Sequence, residues 1–115
     1  MTAFRVLMVT IFLVITIYTV VVINQHGFGL LEVFFRDMLA MGWPGQFNLD
    51  FMCFLVLSAL WLAWRHDFSG AGLALGVCGF FGGALFLSVY LLFMSYRVNG
   101  DIKVLLLGEK RAVLA

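Results

Sequence analysis

Charge is what this chain has least of. Seven basic and six acidic residues make up 11% of its 115 positions, against 64% hydrophobic residues and a mean hydropathy of +1.11. A soluble domain of this size has no interior large enough to hide so much apolar surface, so membrane insertion follows. Cysteine is nearly as scarce. Cys53 and Cys78 alone supply neither a disulfide framework nor a metal-knuckle spacing. Both are read as small buried hydrophobes inside apolar segments. P-loop, zinc and nucleotide-binding motifs are missing, and the sequence implies no metal or cofactor. The tail's few basic residues are interrupted by acidic ones, which gives nucleic-acid binding no support.

The charges that are present divide the chain. None falls between Arg5 and Glu32, between Asp50 and Arg65, or between Asp67 and Arg97. A helix needs roughly 20 apolar residues to cross the hydrocarbon, so these gaps are the spans. The sequence therefore predicts a single all-α membrane domain over 1–115. It has three transmembrane helices at about 5–24, 47–65 and 71–96, with a C-terminal tail over 97–115. The first apolar run is longer than a secretory h-region and lacks a small-x-small cleavage site, so it is read as a retained span.

Between spans 1 and 2 lies LLEVFFRDMLAMGW. Leu31, Phe34, Phe35 and Met38 share one helical face, and Glu32 and Arg36 form an i,i+4 pair on the other. This predicts a short amphipathic interfacial helix at about 29–42, anchored by Trp43, with Trp43-Pro44-Gly45 turning the chain back. Span 2 has only 14 uncharged residues, about 21 Å of helix. Its shortfall is met by Arg65 snorkelling beside Trp61 and Trp64, and by a helix start near Phe47 or Asn48 that draws Asp50 into the membrane edge. The turn Arg65–Gly70 is short enough to make spans 2 and 3 antiparallel neighbours.

Span 3 carries Gly72, Gly76, Gly79 and Gly83, at spacings of 4, 3 and 4. They share one helix face and form a smooth stripe on which another helix can pack closely. The nearest partner is span 2, through Ala59 and Ala63; a second copy or another subunit is the alternative.

Three spans put the termini on opposite sides. Arg5 and Arg65 then share one face, while Arg36, Arg97, Lys103, Lys110 and Arg111 share the other. The positive-inside rule makes the second face cytoplasmic, with the N-terminus outside. The same parity gathers polar residues at that face: Asn24, Gln25 and His26 from span 1; Gln46, Asn48 and Asp50 from span 2; Tyr90, Ser95, Tyr96 and Arg97 from span 3. An ionisable group at membrane depth is a functional hypothesis, and Asp50 is the candidate, with Arg97 or Tyr90 as partner. The plainer reading has Asn48 as an N-cap and Asp50 as a first-turn carboxylate favoured by the helix dipole. His26 is an interfacial residue or a contact for anionic headgroups. The adjacent His66-Asp67 pair sits in a tight turn with Ser69 as the only nearby hydroxyl, which is poor geometry for acid–base chemistry.

The segment GQFNLDFMCFLVLSALWLAWRH resembles small three-span bacterial membrane proteins of unknown function. The shared pattern is an Asp opening the second span (Asp50), a Trp near its end (Trp61 or Trp64) and a basic residue just after (Arg65). The likeness covers about a fifth of the chain and implies a bacterial inner-membrane location without lending an activity. Three spans with a surface helix are also similar to diacylglycerol kinase in architecture, but no span here contains the glutamate of that enzyme's catalytic pattern. Two functions lead, with a lipid-modifying enzyme as a weaker third. One is a non-enzymatic accessory or assembly subunit, packing through the glycine face as a homo-oligomer or in a larger membrane complex. The other is a small oligomeric transporter or lipid-binding protein using the polar cluster around Asp50. Membrane lipids surround the protein in either case.

Overall fold

The computed structural model describes all 115 residues, and every regular element is a helix. The order is α1 (Thr2–His26), α2 (Leu30–Leu39), α3 (Trp43–Arg65), α4 (Gly70–Arg97), α5 (Ile102–Leu107) and α6 (Glu109–Leu114). The chain is all-α, and α1, α3 and α4 are long and apolar enough to cross a membrane.

Helix α2 carries its Glu32–Arg36 ion pair on an exposed face. Of its apolar positions, Phe34 and Met38 turn toward the bundle while Leu31 and Phe35 stay exposed. It docks on the start of α3 at Gly45, where an added side chain would strike the Asp37 carbonyl. Helix α3 begins earlier than its sequence suggests. Gly42 is its N-cap and Pro44 occupies the first turn, a position where the missing N–H costs nothing. Asn48 is therefore not the cap, and Asp50 lies beyond the first turn. The Asn48 amide instead donates to the Phe34 carbonyl (3.1 Å), tying α3 to α2.

Helix α4 is two limbs joined at a break. Its first limb, 70–82, runs antiparallel to α3. A Cβ on Gly72 would meet His66 and Ala63, one on Gly76 would lie 3.0 Å from the Ala59 carbonyl, and one on Gly83 would touch Phe51 and Leu55. At Gly83 the backbone leaves the helix, with φ 56° and ψ −140°. A side chain is strained there, so glycine is the residue that permits the bend. Beyond it the order of neighbours reverses. Tyr90 stands against Trp61 and His66, and Arg97 lines a cavity with Arg65, His66 and Asp67. The chain has gone down α3 and come back up. Each limb is about 20 Å long at 1.5 Å per residue.

This return changes the expected parity. Arg5 of α1 donates from Nε to the Ser95 hydroxyl (3.0 Å) and from Nη2 to the Ser95 carbonyl (3.1 Å), and its guanidinium lies 3.8 Å over the Tyr96 ring. The N-terminus, the 65–70 turn and the tail thus share one end of the molecule. The expectation of termini at opposite ends fails because one glycine reverses α4.

Packing follows the same asymmetry. Gly72, Gly76, Gly79 and Gly83 are all buried, and their face is occupied by α3 of the same chain. The largest fully buried side chains are Leu62, Ser95 and Leu105, all near the shared end. Cys53 and Cys78 are exposed on the outer surface, so the expectation that both are buried is not met.

Candidate functional site

The polar cluster expected around Asp50 does not assemble. Tyr90 and Arg97 lie with His66 and Arg65, whereas Asp50 sits 11 residues before Trp61 on α3, about 17 Å along the axis. Neither is a partner for Asp50. It is exposed, and no hydrogen bond or ion pair engages it. Asn48 faces α2, and His26 ends α1 exposed, at the far end from Arg5. The cause is again the reversal at Gly83, which carries the second limb of α4 to the other end of the bundle.

What does assemble is a site around Arg65, at the end where the termini meet. Arg65 is only 7% exposed, and a buried guanidinium must have its donors satisfied. Its Nε donates to the Leu105 carbonyl (2.6 Å) and its Nη2 to the Val104 carbonyl (3.2 Å). These acceptors belong to α5, so the tail folds over the end of α3. Trp61 adds a bond from its indole N–H to the Leu106 carbonyl (3.2 Å). Gly108 permits the path, with φ 84° and a Cβ position 3.0 Å from the Arg65 carbonyl. Asp101 caps α5 by accepting from the amides of Lys103 and Val104. The tail therefore packs on the end of α3.

His66 and Tyr90 form the second layer, with 2.6 Å between Nε2 and the phenolic oxygen. Burial and the neighbouring Arg65 charge hold the His66 imidazole below its usual 6.5, against the opposing pull of Asp67. Arg65 Nη1, which can only donate, also faces Nε2 at 3.4 Å, which favours the tautomer in which Nε2 accepts and Tyr90 donates to it. Asp67 is engaged elsewhere, by Arg111 at 3.0 Å. Arg111 also donates to the Trp64 carbonyl (2.7 Å) and stacks 4.0 Å above the Trp64 ring. His66 and Asp67 are therefore not an acid–base couple, and Ser69 caps α4 by accepting from the Gly72 amide.

Between these groups opens a cavity of about 330 Å³. Its lining includes Arg65, His66, Asp67, Arg97, Lys110 and Arg111. Six of the chain's seven basic residues gather at this end: Arg5, Arg65, Arg97, Lys103, Lys110 and Arg111. The seventh, Arg36, lies with Glu32, Asp37 and Asp50 at the other. The sequence marks Arg65 only as a snorkelling residue; its grip on the tail has no sequence signal, because its acceptors are backbone carbonyls and carry no residue signature. Comparison with protein-family models, with curated proteins and with solved structures finds no match to this chain.

Proposed function

We propose that this chain is a small, non-enzymatic accessory subunit of a multi-protein complex in a bacterial inner membrane, with both termini in the cytoplasm. The glycine stripe serves the chain's own α3, so the surface offered to a partner lies elsewhere. The observation that carries the reading is the exposed face of α3. Phe47, Asp50, Phe54 and Leu57 follow one another at helical spacing, and all are exposed. Asp50 stands about 10 Å along the helix from Trp43, an unpaired carboxylate among aromatic rings. Charge placed that far into an apolar face is unfavourable unless something answers it. The partner is accordingly a membrane helix bearing a cationic or strongly hydrogen-bond-donating side chain. A second copy of this chain fits poorly, because its only cation at this end, Arg36, sits on the short helix α2 and not on a membrane-spanning one.

Orientation follows from charge. With α4 entering and leaving at one face, six basic residues stand against one, and the positive-inside rule puts that face in the cytoplasm.

The test is position-resolved crosslinking in native membranes. A photoreactive residue at Phe54 is expected to give one discrete adduct with a different protein, and one at Val14 of α1 none. Asp50→Asn should reduce the Phe54 adduct severalfold while leaving membrane abundance unchanged. If Phe54 yields only lipid adducts, or if Asp50→Asn gives undiminished adduct, the assembly reading fails.

A further inference from the structure

We propose that the basic-end cavity binds a phosphate-bearing anion. The case rests on which charges there are already spent. Arg65 is committed to the Leu105 and Val104 carbonyls, and Arg111 to Asp67 and the Trp64 carbonyl. Arg97 and Lys110 line the same cavity with no hydrogen bond or ion pair of their own. Arg97 is steadied only by the Phe93 ring, 5.8 Å from its guanidinium carbon. Four cations thus surround the cavity against two carboxylates, Asp67 and Glu109. Asp67 is paired with Arg111, and Glu109 is exposed, as are Arg97 and Lys110. The remaining excess is positive, and its donors are the two side-chain types that make charge-assisted bonds to phosphate oxygens.

Size and position narrow the ligand further. About 330 Å³ is at the small end of ligand clefts, which run from about 300 to 1,000 Å³. That is room for a phosphate with a short polar substituent. The cavity lies where α3 and α4 end, and its wall residue Arg111 stacks on Trp64, a residue type that marks the headgroup level of a bilayer. Phe93 and Tyr96 are exposed alongside Arg97, giving an acyl chain an apolar surface to follow. Two sources share this chemistry, the headgroup of an anionic phospholipid and free phosphate. The site lies at the opposite end of the molecule from the Asp50 face, so it stands or falls independently of the assembly reading.

The full chain, purified in a mild non-ionic detergent, is titrated with inorganic phosphate and with short-chain phosphatidylglycerol, with short-chain phosphatidylcholine as the uncharged control. Tryptophan emission is the readout, because Arg111 lies over Trp64 at the cavity wall. A saturable shift is expected with at least one anionic probe and none with phosphatidylcholine. Saturation by phosphatidylglycerol alone identifies a lipid headgroup; saturation by inorganic phosphate identifies the free anion. The double substitution Arg97→Gln, Lys110→Gln should weaken binding tenfold or more, and Arg97→Lys alone should retain most of it. Arg36→Gln, at the other end, should bind as the wild type does. Neither Arg97 nor Lys110 bonds within the chain, so their loss leaves the fold in place. The proposal is overturned if the wild type shows no saturable response to either anionic probe, or if the double variant titrates like the wild type.

Discussion

At the basic end, α1, α3, α4 and the tail converge on a few side chains. Arg65 holds two carbonyls of α5, Arg5 holds Ser95, Trp61 holds Leu106, and Arg111 bridges Trp64 and Asp67. At the acidic end, a single side-chain hydrogen bond, from Asn48 to the Phe34 carbonyl, joins α2 to α3, and α1 ends with its apolar residues exposed. The difference traces to Gly83. By reversing α4 it spends the third apolar helix on one end of the bundle and leaves α1 and α3 uncovered at the other. One end is closed by the chain itself, and the other keeps its apolar side chains exposed.

The largest effect is expected at Arg65, the clasp of the closed end. Arg65→Met removes charged hydrogen bonds of about 1.5–3 kcal/mol each and leaves the Leu105 carbonyl buried without its donor. A loss of about 3 kcal/mol is expected in detergent unfolding. Trypsin should then cut at Lys103, Lys110 or Arg111 well before the helical core is attacked. A tail as resistant as the wild type's would mean that Leu105 packing alone holds it.

Gly76→Leu comes next, because its first added carbon would sit 3.0 Å from the Ala59 carbonyl. Overpacking of this kind costs about 1–3 kcal/mol. It should lower the unfolding midpoint, while Val77→Leu on the exposed side of the same turn leaves it unchanged.

A smaller effect is expected from pH. The folded state holds the His66 pKa below 6.5, so in that window the unfolded chain binds more protons. Stability should be level above pH 6.5 and fall as the pH drops through the depressed folded value. His66→Asn should flatten that slope, which unfolding titrations over this range will show. Smallest of all is Arg36→Gln. Its exposed pair with Glu32 contributes roughly 0.5 kcal/mol or less, and a large effect would mean that the acidic end is not as loosely held as described.

Much of the scaffold was legible in the sequence. The three charge-free gaps coincide with α1, α3 and α4, the 30–39 segment is a helix with its Glu32–Arg36 pair, and Ala59 and Ala63 lie under Gly76. The reversal was not legible. Gly83 continues the 4, 3, 4 spacing of the stripe, and nothing in its identity separates a packing glycine from one with positive φ. One misread residue moved every polar group downstream of it to the wrong end, which is why Asp50 was paired with Arg97 and Tyr90. The clasp around Arg65 was hidden for a different reason. A guanidinium finds backbone carbonyls through geometry, and only the folded tail brings those carbonyls within reach.

The reversal at Gly83 is tested most directly by the location of the C-terminus relative to the N-terminus. Reporters that work on only one side of the membrane, a fluorescent protein for the cytoplasm and alkaline phosphatase for the periplasm, can be fused in turn to each end of the full chain. Cytoplasmic activity at both termini is the predicted result. Termini reporting from opposite sides would show that α4 passes straight through the bilayer, and would contradict the return at Gly83 and the clasp built upon it.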